Sequence, residues 1–362
     1  MQWTSEEKGY IWLDSFPLTL KEKKKLLSKA GDSVNLVKNF SEFRGLLIDF
    51  RKESVYNTMQ SSLTDGGRYF RSITVSFVRE RIFPVCVCSD GYPTSLRALP
   101  DAPLVLYAKG NLALLKERKF AIVGSRRISP DVYRKGVELS EALSQSFAIL
   151  TGFADGGDCS ALEGALKTGK AVCVLASGFS ALPRNKIPLF QKIVERGLLL
   201  SPYPMNEPTR KFSYSYRNKI LATLSDGGLV LSAGEKSGAL ITAQYIQKSG
   251  KPLFALPYSP SVASGAGCNA LIQEGAYLAQ NAEDIFSRFN VRVERKKSER
   301  TLLSLNSEEL EIVAFLREHT EAHVSEIAEK TGIPAFKLTA MLSLLEIKGL
   351  VAKLGGNRYA PV

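Results

Sequence analysis

Between residues 121 and 131 the chain reads Ala121-Ile122-Val123-Gly124-Ser125-Arg126-Arg127-Ile128-Ser129-Pro130-Asp131, a strand-like run that breaks at a glycine and opens a helix. Ser129 suits the N-cap and Pro130 the first helical position. Free backbone N–H groups and the positive end of the helix dipole make such a turn an anion site, and two arginines add bidentate phosphate donors. A turn whose arginines point only to water is the alternative. Further cations follow later apolar runs: Arg184 and Lys186, with Asn185 between them, then Arg210, Lys211, Arg217 and Lys219, with Asn218, and finally Lys236 beside Ser237-Gly238. Cations strung along one edge suit a chain of phosphates better than a single nucleotide. Phe212, Tyr214 and Tyr216 are interleaved with them, as base stacking on an unpaired strand requires, although aromatics opening a helix also serve as core.

Other chemistries fit poorly. Gly164-Ala165-Leu166-Lys167-Thr168-Gly169-Lys170-Ala171 nearly matches a phosphate-binding P-loop, but Ala171 lacks the hydroxyl that holds Mg²⁺ and the segment runs from helix into strand. His319 and His323 have no third metal ligand nearby, and no G-x-G-x-x-G follows a strand with an acidic residue about 20 positions on. Asp155 and Asp158 suit the capping of the next helix better than general-base work. The expectation is therefore no catalytic residue, no metal and no cofactor.

The elements that must position these residues are short. Nearly continuous apolar runs at 82–88, 104–108, 120–124, 147–151, 171–176, 197–201, 228–233 and 252–257 alternate with amphipathic segments, the pattern of a mostly parallel sheet covered on both faces. Val132, Gly136, Leu139 and Leu143 form one helical stripe. A Rossmann-like, doubly wound α/β domain over 79–290 follows, and in such sheets ligands lie beyond the carboxyl ends of the strands. Residues 1–78 read as a small helical module (SAM- or helix-hairpin-helix-like) in which Lys23-Lys24-Lys25 is expected on a solvated face. Residues 291–304 read as a basic linker. Residues 305–362 read as a winged-helix domain, with Gly355-Gly356 turning its hairpin.

Bulk properties agree. The 362 residues are 44% apolar and carry a net charge of +12, which favours a polyanionic partner. Six basic and eight acidic side chains in 301–362 leave +14 on residues 1–300, so the polyanion should meet the front of the chain. Five cysteines without C-x-x-C spacing, and no run of 18 apolar residues, place the protein in the cytoplasm away from membranes.

Gly124-Ser125-Arg126, Thr151-Gly152-Phe153-Ala154 through Gly156 and Asp158, Pro183-Arg184-Asn185, Arg217-Asn218-Lys219-Ile220, Ser237-Gly238-Ala239-Leu240-Ile241-Thr242-Ala243 and Gly267-Cys268-Asn269-Ala270-Leu271-Ile272 stand in the order and spacing of the DprA/Smf proteins, which the chain resembles densely over about 80–290. The resemblance implies sequence-independent binding of single-stranded DNA, loading of the RecA recombinase during DNA uptake, natural transformation and recombination, and a homodimer formed through the Rossmann-like domain. It implies Arg126 as the main phosphate ligand, Arg184 and Asn185 as a neighbouring wall, and Arg217, Asn218 and Lys219 as the next backbone contacts, with the helix start at Gly238 helping to build the pocket. The expected strand-binding set is Gly124, Ser125, Arg126, Arg127, Arg184, Asn185, Lys186, Lys211, Phe212, Arg217, Asn218, Lys219, Lys236, Ser237 and Gly238. The chain departs from the family at Asp155, Gly157, Leu162, Ser215 and Tyr216. A nucleotide-binding or nucleotide-hydrolysing enzyme like the lysine-decarboxylase-like phosphoribohydrolases is the alternative, but Ala243 and Gln244 stand where that family's motif carries its catalytic glutamate.

Overall fold

The computed structural model describes residues 2–291 and 305–361, and the chain divides into two compact units, Met1–Val291 and Arg292–Val362. Apart from Val291, the expected 291–304 linker lies outside the described residues.

Nine strands form the sheet of the first unit: β1 (Phe83–Cys86), β2 (Val105–Gly110), β3 (Lys119–Val123), β4 (Ala148–Thr151), β5 (Ala171–Val174), β6 (Leu198–Ser201), β7 (Gly227–Val230), β8 (Leu253–Ala255) and β9 (Tyr277–Leu278). Their order is β1-β2-β6-β5-β4-β3-β7-β8-β9. All neighbours run parallel except β1 with β2 and β2 with β6. The chain winds outward from β3 to β6, then returns to β3 and winds the other way through β7, so the order reverses between β3 and β7. The two-residue β9 was missed in the sequence because so short a pair has no measurable period.

Why the strands read as unbroken apolar runs is visible in the packing. Successive side chains of a strand point to opposite faces, and here both faces are covered. Phe120, Ile122, Ile149, Cys173, Leu199, Leu229 and Phe254 belong to one core layer, while Ala121, Val123, Leu150, Val172, Val174, Leu200, Val230 and Ala255 belong to the other.

The N-terminal helices, from Ser5–Asp14 to Arg68–Glu80, share the first layer: Ile11, Trp12, Leu13 and Phe16 lie in one cluster with Cys86 and Tyr107 of the sheet. Asp14 ties them together, accepting hydrogen bonds from Tyr107 Oη and Lys23 Nζ, both at 2.8 Å. The lysine run is accordingly a solvated face only in part, at the exposed Lys25. Lys23 is buried, Lys24 donates to the Pro100 carbonyl at 2.6 Å, and Lys25 lies over the Phe50 ring at 5.2 Å.

Helix Pro130–Leu143 starts as its sequence dictates, with Ser129 Oγ accepting from the Val132 amide at 3.3 Å. It packs on helix Gly157–Thr168 through two glycines. A Cβ on Gly136 would stand 2.3 Å from Ser160 Oγ, and one on Gly164 2.3 Å from the Val137 carbonyl. The glycine that suggested a phosphate loop is therefore a helix-packing residue. Gly157 has a similar constraint, since a Cβ there would lie 2.5 Å from the Gly124 Cα. Gly157→Ala is expected to cost about 1–3 kcal/mol through forced backbone displacement, read as a lower denaturant midpoint. An unchanged midpoint would show that the two turns separate freely.

In the second unit, helices Ser307–Glu318, Val324–Thr331 and Ala335–Ile347 pack on a three-stranded sheet, β10 (Ala322–His323), β11 (Val351–Lys353) and β12 (Arg358–Pro361), in the order β10-β12-β11. Ile312, Leu316, Ile327, Leu338, Leu342 and Leu345 fill its core. Lys337 on its third helix and Lys348 just after it are each held by a carboxylate of the first, Glu308 and Glu309 respectively, at 2.6 Å.

Candidate nucleic-acid interface

At the carboxyl ends of β3 and β7, where the strand order reverses, a cavity of about 120 Å³ opens. Doubly wound sheets bind ligands at this point. Val123, Gly124, Ser125 and Arg126 line it from the turn after β3, Gly152, Ala154 and Asp158 from the loop and helix after β4. Tyr214, Arg217, Asn218 and Leu221 come from helix Lys211–Leu224, and Ser237, Gly238, Ala239 and Thr242 from the start of helix Gly238–Lys248.

Hydrogen bonds fix these walls. Ser125 donates its amide and its hydroxyl to the Ser232 carbonyl, at 2.8 and 3.0 Å, and its Oγ stands 3.2 Å from Ser237 Oγ. Ser237 in turn caps its helix, accepting from the Ala239 amide at 3.3 Å. Asn218 joins the remaining wall, donating to the Gly238 carbonyl at 3.5 Å and accepting from Arg217 Nε at 2.9 Å. The positive end of helix Gly238–Lys248 is thereby presented at the cavity mouth, a fixed partial charge suited to an anion.

Arg126 is exposed, and its guanidinium lies 5.4 Å from the centre of the Tyr214 ring. The ring restrains the side chain while leaving its donors free for a phosphate. Tyr214 and Phe212 are 42% and 62% exposed, large values for aromatic side chains. Tyr216 is instead structural, donating to the Asp101 carbonyl at 2.8 Å.

Arg217 differs from the exposed cations. Only 6% exposed, it donates to the Val174 carbonyl at 3.1 Å and stands across Gly152 from the buried Asp158. A Cβ on Gly152 would meet both, 2.0 Å from Arg217 Nη1 and 2.4 Å from Asp158 Oδ2. Burial pushes the Asp158 carboxyl pKa up, opposed by the Arg217 charge and by the Ala154 amide that it accepts at 3.1 Å. Arg217 is thus a wall whose charge is already committed inside the protein.

Of the residues expected from the sequence, Gly124, Ser125, Arg126, Arg217, Asn218, Ser237 and Gly238 meet around the cavity. Arg127, Arg184, Asn185, Lys211, Phe212 and Lys236 are exposed outside it, and no described carboxylate pairs with Arg127, Arg184, Lys211 or Lys236. Two lysines are engaged. Lys219 pairs with Asp101 at 2.6 Å, because a residue two positions from Arg217 on a helix faces roughly the opposite way. Lys186 pairs with Asp155; burial works to lower its pKa, but the contacts with Asp155 and Cys159 outweigh this and raise it. Tyr214, expected only as a stacking ring, and Thr242, within the Ser237–Ala243 motif expected to help build the pocket, also line the cavity. For Tyr214 a signal existed, since 214, 217, 218 and 221 are spaced as one helix face.

Two family models match the chain: DNA recombination-mediator protein A over residues 84–290 and the DprA winged helix domain over 296–357. The DNA processing protein DprA of Streptococcus pneumoniae is 35% identical over 226 residues, spanning 61% of this chain and 80% of that protein. Its Bacillus subtilis counterpart is 34% identical over 226 residues, with 61% and 75% covered. Among solved structures, S. pneumoniae DprA superposes with a TM-score of 0.65 at 29% identity, covering 81% of this chain and all of that one. DNA processing protein A of Helicobacter pylori, whose single-stranded DNA binding mode has been described, gives 0.53 at 29% identity, covering 58% and 96%. Matched in sequence over both units and in fold over 81% of its length, this chain belongs to the DprA/Smf family of DNA-processing proteins.

Proposed function

We propose that the chain binds single-stranded DNA without sequence preference along the carboxyl edge of its sheet and delivers it to a RecA-type recombinase, acting in the cytoplasm as a homodimer and catalysing no reaction. The observation that carries this reading is the switch-point cavity itself. Arg126 and a helix N-terminus face into it, exposed Phe212 and Tyr214 lie on the helix beside it, and cations unpaired among the described residues lie outside it. Phosphates are held by the cations, and exposed rings give a base a face to stack on, which a duplex cannot use without unpairing. Among the described residues no helix is long and apolar enough to cross a membrane.

If Arg126, Arg127, Arg184, Lys211 and Lys236 each neutralise one phosphate, log affinity for an oligo-dT should fall with log salt at a slope of about −3.5, and a matching duplex should compete poorly. Fluorescence anisotropy at several salt concentrations measures both. A nearly flat slope, or preference for the duplex, would remove the electrostatic single-strand reading.

A further inference from the structure

Asp155 places a carboxylate on the edge that a phosphate chain would follow. It lies in the loop after β4, between the Arg126 turn and Lys186. The loop is pressed against that turn: a Cβ on Gly156 would lie 2.3 Å from the Ser125 carbonyl and 2.6 Å from that of Arg126. On its other side Asp155 holds Lys186 Nζ. The pair is lopsided, with the lysine side chain 13% exposed and the carboxylate 69%. Lys186 is further fixed by Cys159 Sγ at 3.7 Å and by the Phe153 ring at 5.7 Å. The ammonium is therefore held against the protein, while its counter-ion is the solvent-facing partner.

We propose that Asp155 is a built-in competitor for phosphate: in the free protein it occupies Lys186, and a bound strand must displace it, so this one carboxylate sets the affinity of the edge. The inference rests on the single-strand reading above. A carboxylate and a phosphate oxygen present the same acceptor to an ammonium, and a strand carrying many phosphates outcompetes one tethered carboxylate when enough of its other contacts form. Affinity would thus depend on strand length more steeply than in a protein whose Lys186 stood free.

The test is anisotropy on oligo-dT with the full-length chain, its Asp155→Asn and Lys186→Ala variants, and the double variant, at two salt concentrations. Asp155→Asn is expected to tighten binding about three- to tenfold at low salt and to leave the salt slope nearly unchanged, because Lys186 meets a phosphate in both complexes and the substitution removes only the competitor in the free protein. In the Lys186→Ala background the same substitution should change affinity less than twofold. Equal tightening in both backgrounds would show that Asp155 acts merely as a negative charge near the strand, and no tightening at all would show that it competes for nothing; either overturns the proposal. Wild-type protein that fails to bind oligo-dT would remove the single-strand reading and this inference with it, whereas wild-type binding that Asp155→Asn leaves unchanged removes this inference alone. Thermal melts of each variant beside its parent separate these outcomes from a folding defect.

Discussion

Arg217→Met is expected to destabilise the first unit by about 3 kcal/mol at neutral pH, because it leaves the buried Asp158 carboxylate without its opposing charge. The effect should depend on pH in a definite direction. Burial already holds the Asp158 pKa above its ordinary value with Arg217 present, and removing the cation raises it further. A carboxyl whose folded-state pKa lies above its unfolded one loses stabilisation as pH rises through the interval between them. The deficit of Arg217→Met should therefore shrink as pH is lowered from 7 toward the ordinary aspartate range, where the group is protonated. Asp158→Asn alone should cost less, since burial favours a neutral group there, and Arg217→Met with Asp158→Asn should recover much of the loss, the signature of coupled sites. Urea midpoints of the four proteins at two pH values test this. A deficit independent of pH, or strictly additive variants, would mean that the two groups do not sense one another.

Arg126→Ala should weaken oligo-dT binding by about 1–3 kcal/mol, the range for a lost charge-assisted hydrogen bond, or roughly 5- to 150-fold in Kd. It should also flatten the salt slope by about 0.7. Arg126→Lys should recover only part of the affinity, because an ammonium keeps the charge but not the planar fork that stacks on Tyr214 and grips two phosphate oxygens. Lys219→Ala is the internal comparison. Its charge is held by Asp101, so its removal should change binding little. Unaltered affinity of Arg126→Ala, or a larger loss from Lys219→Ala, would move the strand to another face of the molecule.

Much of the architecture was legible because it is local. The apolar runs of β3 to β8, the Ser129-Pro130 helix start and the Gly355-Gly356 hairpin each arise from a few adjacent residues obeying strand, capping or turn rules. β1 and β2 were legible as strands but not as the antiparallel edge, since direction depends on the path of the connection and not on the strand's own residues. The role of Gly164 was legible only as an exclusion, because its helix-packing contact lies on another helix.

From its own residues the chain determined that a basic, doubly wound α/β protein would form and that a glycine turn carrying Ser125 and Arg126 would follow β3 at the carboxyl edge of the sheet. What it could not determine was which of its cations would be free to use. Lys219 is claimed by Asp101, 118 positions away, and Lys186 by Asp155, 31 positions away, while Arg217 is committed opposite Asp158. Charge is a property of a residue, but its availability depends on the carboxylates and solvent that the fold brings within a few ångströms, and only tertiary contact sets those distances.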